Sequence, residues 1–153
     1  MKLSKNFSLR EFTKSNTATR LGIDNSPTEE HIENLKKLCD NVLQPLRDAL
    51  GLPLRITSGY RSEALNNAIG GSKTSDHSKG KAADLELYIN GEEDNLALFK
   101  AIQELNLPYY QLISEFGTEE KPDWVHVAYR EENPKQQNLR ATKIDGKTKY
   151  ILL

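Results

Sequence analysis

Residues 75–84 constrain the fold of this chain most, because they lead from a histidine through a glycine turn to an aspartate at the start of a strand. From Asp84 to Ile89, polar and apolar residues alternate, which is typical of a half-buried strand. The alternation places the Asp84 carboxylate on the less apolar face. His77 lies upstream in a loop that Gly80 allows to fold back. We therefore expect these two side chains to converge on one point.

A second segment changes the interpretation of this pair. Residues 122–129 form another strand-like run, in which His126 shares a face with Trp124. A lone pair such as His77 and Asp84 more often makes a structural hydrogen bond than a metal site. The chain has three histidines, however, and two of them lie in these two segments. Two neutral imidazoles and one carboxylate are a common catalytic zinc set, which leaves the fourth tetrahedral position open.

The pattern SxHxxGxAxD, followed much later by WxH, resembles the zinc D,D-peptidases of peptidoglycan. These are D-alanyl-D-alanine carboxypeptidases and dipeptidases, with related phage and bacterial endopeptidases. The motif WVHV at residues 124–127 is most similar to the carboxypeptidase-type branch. The resemblance runs from about Ser8 to the C-terminus. It implies a fold of the hedgehog/D-Ala-D-Ala-peptidase type. It also implies one Zn²⁺ per chain, with His77, Asp84 and His126 as its ligands.

The run SGYRS at residues 58–62, which is frequent in this family, follows a predicted strand. The resemblance implies that Arg61 binds a substrate carboxylate or polarises the scissile carbonyl. An arginine suits either role, because its guanidinium stays charged and offers a planar fork of donors. Ser75 matches the serine of the family motif, and we expect it to make a supporting hydrogen bond in the substrate site. Trp124 is a candidate wall of the same pocket, with a core position as an equal alternative.

A zinc hydrolase also needs a general base, and three carboxylates compete for that role. Asp123 ranks first because several branches of the family have an acidic base three residues before the last ligand. Glu115 ranks second, near the end of the preceding predicted strand, and Glu86 is a distant third. The carboxypeptidase-type branch often uses a histidine instead, and no histidine is free here. Asp123 as a turn residue and Glu115 as a group that orients a ligand imidazole are the structural alternatives.

Periodicity and turn signals predict an α+β fold, with helices on one face of a small, mostly antiparallel sheet. A length of 153 residues suits a single domain over 1–153. Ser26 is the predicted N-cap of the main helix, which Pro45 kinks or divides. The terminal hairpin, around Asp145 and Gly146, is expected to complete the sheet without taking part in chemistry. The predicted helices are 27–50, 62–69 and 92–105, and the predicted strands are 54–57, 83–89, 109–116, 123–129, 139–144 and 147–152.

Composition excludes several classes of partner. The net charge is −1 with lysine and arginine spread throughout, so nothing indicates a nucleic-acid surface. No apolar run reaches membrane-spanning length, and residues 1–9 lack the apolar region of a secretory signal. The suspected substrate, the peptidoglycan stem peptide, lies outside the cytoplasm. We therefore expect a monomer that is made in the cytoplasm and reaches the cell wall as a phage or prophage lysin, or as a virion component.

The sequence thus predicts a zinc metallopeptidase that hydrolyses a peptide bond in peptidoglycan, as a D,D-carboxypeptidase or an endopeptidase. The alternative is a catalytically inactive wall-binding or virion structural module that retains the zinc site. A purely structural zinc is disfavoured, because structural zinc normally has four protein ligands.

Overall fold

The computed structural model describes residues 1–153 and combines six α-helices with nine strands. None of the helices is both long and apolar enough to span a lipid bilayer. The helices are α1 (Leu9–Thr13), α2 (Asn16–Leu21), α3 (Glu29–Leu38), α4 (Gln44–Leu50), α5 (Glu63–Ala68) and α6 (Asn95–Glu104). The strands are β1 (Lys2–Ser4), β2 (Phe7–Ser8), β3 (Leu54–Ser58), β4 (Ala82–Ile89), β5 (Glu92–Glu93), β6 (Gln111–Glu115), β7 (Trp124–Ala128), β8 (Gln137–Ile144) and β9 (Lys147–Leu152).

The main sheet has the strand order β3-β4-β7-β6-β8-β9, and β5 pairs with β4 beside this path. Neighbouring strands are antiparallel except for β6 and β8, which run parallel. A separate two-stranded sheet joins β1 to β2. The predicted α+β class with a mostly antiparallel sheet is therefore confirmed.

Alternation along the central strands divides the sheet into an apolar face and a polar face. Successive side chains of a strand point to opposite faces, so Leu85 and Val125 enter the core while Asp84 and His126 face away from it. Helices α1, α3, α4 and α6 pack on the apolar face, and they share with it a cluster of 23 buried residues. The opposite face of the same strands is left free for a cleft.

The main helix begins two residues later than predicted. Thr28, and not Ser26, is the N-cap, because its hydroxyl accepts the backbone N–H of His31 at 3.2 Å. The His31 imidazole completes a reciprocal cap, since its Nδ1 accepts the N–H of Thr28 at 3.2 Å. The third histidine of the chain therefore serves the start of a helix.

Pro45 divides the main helix, as its sequence position predicts. A π-helical turn at Cys39–Leu43 separates α3 from α4, and Pro45 lies in the first turn of α4. Proline has no N–H to donate to the preceding turn, and a wider turn accommodates the missing bond.

The terminal hairpin also forms as predicted. Asp145 and Gly146 have φ values of 52° and 75°, the left-handed pair that a two-residue hairpin turn requires. β8 then lies parallel to β6, so the hairpin extends the sheet on the side of β6 that would otherwise be an edge.

Candidate metal and substrate site

The cross-strand pairing of β4 with β7 brings two of the predicted ligands together. Asp84 lies directly opposite His126, so their side chains project from the same face of the sheet. Asp84 Oδ1 is 3.1 Å from His126 Nδ1. Residues that are 42 positions apart in the chain therefore meet because of the strand register alone.

His77 reaches the same point from a short 3₁₀ turn, Asp76–Lys79. The Ser75 hydroxyl caps this turn by accepting the N–H of His77 at 3.2 Å. Gly80 ends it with φ of 72°, and a Cβ there would lie 2.5 Å from the carbonyl oxygen of His31. Only glycine fits this close approach, and the result places His77 Nε2 at 3.3 Å from Asp84 Oδ1.

These three side chains form a cluster that could hold a metal ion. One ligand atom from each of His77, Asp84 and His126 lies within 4.8 Å of the other two. His77 Nδ1 donates to the carbonyl oxygen of Gly59 at 2.7 Å, which fixes the tautomer and leaves Nε2 free to bind a metal. Two imidazole nitrogens and one carboxylate oxygen are also the donors that zinc prefers at catalytic sites.

The protonation state of Asp84 also suits a ligand. Burial opposes ionisation of this carboxyl. Electrostatic and hydrogen-bond interactions with His77 and His126 outweigh that effect in the metal-free protein, and they hold the pKa of Asp84 well below its usual range. The carboxylate is thus ionised at neutral pH and available to a cation.

The three residues lie in a cleft that has a volume of about 830 Å³. This size suits a short peptide segment. Arg61, Glu115, Ser75 and Trp124 also line the cleft. The structure therefore brings four of the predicted catalytic and substrate-binding residues to the three candidate metal ligands.

Glu115 is the carboxylate that the fold places inside this cleft. It is only 8% exposed, and it pairs across the strands with Trp124. Burial raises the pKa of Glu115 to about 7, and the charge of Asp84 adds to the rise while His126 and Arg61 oppose it. A carboxyl with a pKa near neutrality can both accept and return a proton under physiological conditions.

Asp123, which ranked first from the sequence, lies outside the cleft and is exposed. It precedes His126 by three residues, and an odd separation along an extended segment places side chains on opposite faces. Its carboxylate lies instead against the turn at Gly117. A Cβ added to this glycine would be 3.0 Å from Asp123 Oδ1. Glu86 also lies outside the cleft lining, with its Oε1 at 3.8 Å from Arg55 Nε.

Arg61 has an unfilled hydrogen-bonding capacity. Its backbone N–H donates to the carbonyl of His77 at 3.1 Å, which ties the arginine segment to the ligand loop. Its side-chain Nε is buried without a hydrogen-bond partner. Burial lowers the pKa of Arg61, and the charges of Asp84 and Glu115 oppose that shift. A buried donor without a partner is unfavourable, so an anionic or carbonyl ligand at this position would be stabilised.

Two features of the cleft escaped the sequence analysis. Asp76, which occupies a variable position of the motif, is buried and accepts from Arg130 at 3.2 Å with each carboxylate oxygen. The guanidinium of Arg130 also lies 3.8 Å from the centre of the Tyr110 ring. Tyr150, on the terminal hairpin, lines the cleft as well. Neither feature has a local sequence signal, because both depend on how distant strands pair.

Comparison with known proteins identifies a family. No curated protein matches the chain. A family model described as peptidase M15 matches residues 5–128, which include the three candidate ligands and the cleft residues Arg61 and Glu115. The match covers most of the chain and agrees with the resemblance seen in its motifs. The chain therefore belongs to the peptidase M15 family, the zinc D-Ala-D-Ala peptidases.

Proposed function

We propose that this chain is a zinc-dependent peptidase that hydrolyses a peptide bond flanked by at least one D-residue in bacterial peptidoglycan. The observation that carries the proposal is the convergence of His77, Asp84 and His126 in a cleft that also holds a buried carboxylate and an arginine. Family membership supports the peptidase activity. The proposal covers both removal of a terminal D-residue and cleavage of a cross-link.

In this proposal, His77 Nε2, His126 Nδ1 and Asp84 hold one zinc ion. When bound, zinc polarises a carbonyl group and lowers the pKa of water to about 7. The hydrogen bond from His77 to Gly59 orients the first ligand, and the strand register orients the other two. The low pKa of Asp84 removes competition between proton and metal for its carboxylate.

We assign the general base to Glu115. Its carboxylate takes a proton from the attacking water and delivers it to the departing amine, which requires a group that exchanges protons near neutral pH. Glu115 has a pKa of about 7 and lies in the cleft. Asp123 does not line the cleft. For this reason we assign the role to Glu115, although the sequence ranked Asp123 first.

Arg61 is proposed to bind the substrate. Its buried Nε lacks a partner, and its charge can stabilise either a peptide carboxylate or the negative charge that develops on the scissile oxygen. Ser75 supports the site indirectly, because its hydroxyl holds the turn that carries His77. Trp124 supplies a partly apolar wall beside Glu115. Since the proposed substrate lies outside the cytoplasm, the proposal includes action at the wall as a released phage or prophage lysin, or as a virion component.

The test combines zinc analysis with digestion of purified cell-wall sacculi. We expect about one zinc per chain, loss of that zinc in His126→Ala, and zinc-dependent release of peptide products identified by mass spectrometry. His31→Ala is the matched control, because this histidine lies at the start of a helix and outside the cluster. Zinc-loaded protein that binds sacculi without cleaving them would replace the proposal with the inactive wall-binding module.

A further inference from the structure

The terminal hairpin, β8 and β9, contributes directly to the cleft. Glu115 pairs with Trp124 on one side and with Ala141 on the other, and Ala141 in turn pairs with Tyr150. Directly paired residues project from the same face of a sheet. Trp124, Glu115, Ala141 and Tyr150 therefore form one row across four strands, on the face that carries the candidate metal ligands.

The side chain between Glu115 and Tyr150 in this row is small. Ala141 is completely buried, and it packs with Ile113 and Leu139 in a small apolar cluster. Adjacent strands are about 4.8 Å apart, so about 10 Å separates the backbone of Glu115 from that of Tyr150. The Ala141 methyl group is covered by its neighbours and does not line the cleft. Tyr150 thus lies two strand spacings from the proposed general base and lines the cleft from the side of the hairpin.

The hairpin is held firmly in this position. The guanidinium of Arg140 donates to the carbonyl oxygens of Phe116 and Gly117 at 3.2 and 3.3 Å. The N–H of Phe116 donates to the carbonyl of Ala141 at 2.9 Å. These bonds connect β8 to the turn that directly follows Glu115. The side of the cleft that carries Tyr150 is therefore a preorganised surface.

The hydroxyl of Tyr150 remains available to a ligand. The residue is 59% exposed, lines the cleft and makes no side-chain hydrogen bond within the chain. Partial burial raises the pKa of Tyr150, as do the charges of Glu115 and Asp84. The phenol therefore keeps its proton at neutral pH and acts as a donor.

We propose that the terminal hairpin forms a substrate-binding wall of the cleft, and that the Tyr150 hydroxyl donates a hydrogen bond to a backbone carbonyl of the peptide substrate. This inference rests on the proposed peptidase function, which it extends by one binding residue. The family match ends at residue 128 and so does not include the hairpin.

The first test compares Tyr150→Phe with wild type and with Tyr88→Phe. Tyr88 is also an exposed tyrosine, on β4 and outside the cleft lining, so it is a matched control for loss of a hydroxyl. The substrates are a synthetic pentapeptide ending in D-Ala-D-Ala and a cross-linked muropeptide dimer. Loss of one hydrogen bond to substrate should raise KM by about three- to tenfold. We expect kcat within about twofold of wild type, and unchanged zinc content, because the ring and the fold remain.

A second measurement does not depend on turnover. Isothermal titration of the same peptides into zinc-loaded Glu115→Gln, with and without Tyr150→Phe, should show the same loss of affinity. Equal KM and affinity for Tyr150→Phe and Tyr88→Phe, or loss of zinc in Tyr150→Phe, would overturn the role of Tyr150 while leaving the peptidase intact. Wild-type protein that neither cleaves nor binds either peptide would overturn the proposed function and this inference together.

Discussion

The imidazole of His77 donates a hydrogen bond of 2.7 Å to the carbonyl oxygen of Gly59, at the end of the strand that leads to Arg61. Gly59 is itself packed against α1, since a Cβ at this position would lie 2.6 Å from Phe12 Cα. The N-terminal helix, the arginine segment and the first candidate metal ligand are thereby joined through one glycine. A larger side chain at position 59 should therefore weaken metal binding.

Gly59→Ala should therefore weaken zinc binding. The added methyl must displace backbone atoms of Phe12, which moves the carbonyl that orients His77. Loss of such an orienting partner typically lowers metal affinity by about 10- to 100-fold. Competition with a chromogenic chelator measures the change. Gly22→Ala is the control, because this glycine has nothing within 4 Å of its Cβ position and only backbone strain would result. Equal zinc affinity in the two variants would contradict the prediction.

The assignment of the general base is tested by a pair of amide substitutions. Glu115→Gln should lower kcat on muropeptides by about 10²- to 10⁴-fold, because the variant cannot accept a proton. Asp123→Asn should retain activity within about threefold, since its side chain lies outside the cleft. Zinc content measured on both variants excludes loss of the metal as the cause. The reverse ranking of the two activities would return the role to Asp123.

The raised pKa of Glu115 predicts that the stability of the metal-free protein depends on pH. An acid whose pKa rises from 4.5 to about 7 on folding binds its proton more tightly in the folded state. Ionisation of Glu115 therefore costs the folded state nothing below pH 4.5. As the pH rises from 4.5 through 7, the free energy of unfolding falls by about 3 kcal/mol. Urea unfolding in EDTA should show this loss in wild type relative to Glu115→Gln. Parallel stability profiles of the two proteins between pH 4.5 and 7.5 would refute it.

The buried pair of Asp76 and Arg130 predicts a contribution to stability from a residue that the motif leaves variable. Asp76→Asn leaves the guanidinium of Arg130 with a neutral partner in a partly buried site, and should reduce the free energy of unfolding by about 1–3 kcal/mol. The pair of Lys37 and Glu131 is a matched control, because both side chains are largely exposed at an N–O distance of 2.7 Å. Glu131→Gln should have no measurable effect. Similar losses in the two variants, measured by urea unfolding, would show that burial is not decisive.

Much of the fold follows from local sequence patterns. The alternation in residues 83–89 defines the faces of β4, Asp145 and Gly146 define the terminal turn, and Pro45 divides the main helix. Each signal acts over a few residues, because the period of two in a strand and the missing N–H of proline are properties of the backbone itself. Such signals define the ends of an element less sharply, because Thr28 and not Ser26 is the N-cap of α3.

The candidate ligands could also be found from the sequence, because the chemistry of zinc restricts them to few residue types and the chain has only three histidines. Which carboxylate enters the cleft could not be found in this way. The family resemblance favoured Asp123, but the extended backbone before His126 turns that side chain to the other face, and the pairing of β6 with β7 places Glu115 inside. The parallel docking of β8 on β6, which brings Tyr150 to the same row, has no local signal either. The sequence by itself thus determined the elements and the candidate metal ligands. Only the tertiary structure decided which side chains surround the candidate metal site, because strand register depends on contacts between residues far apart in the chain.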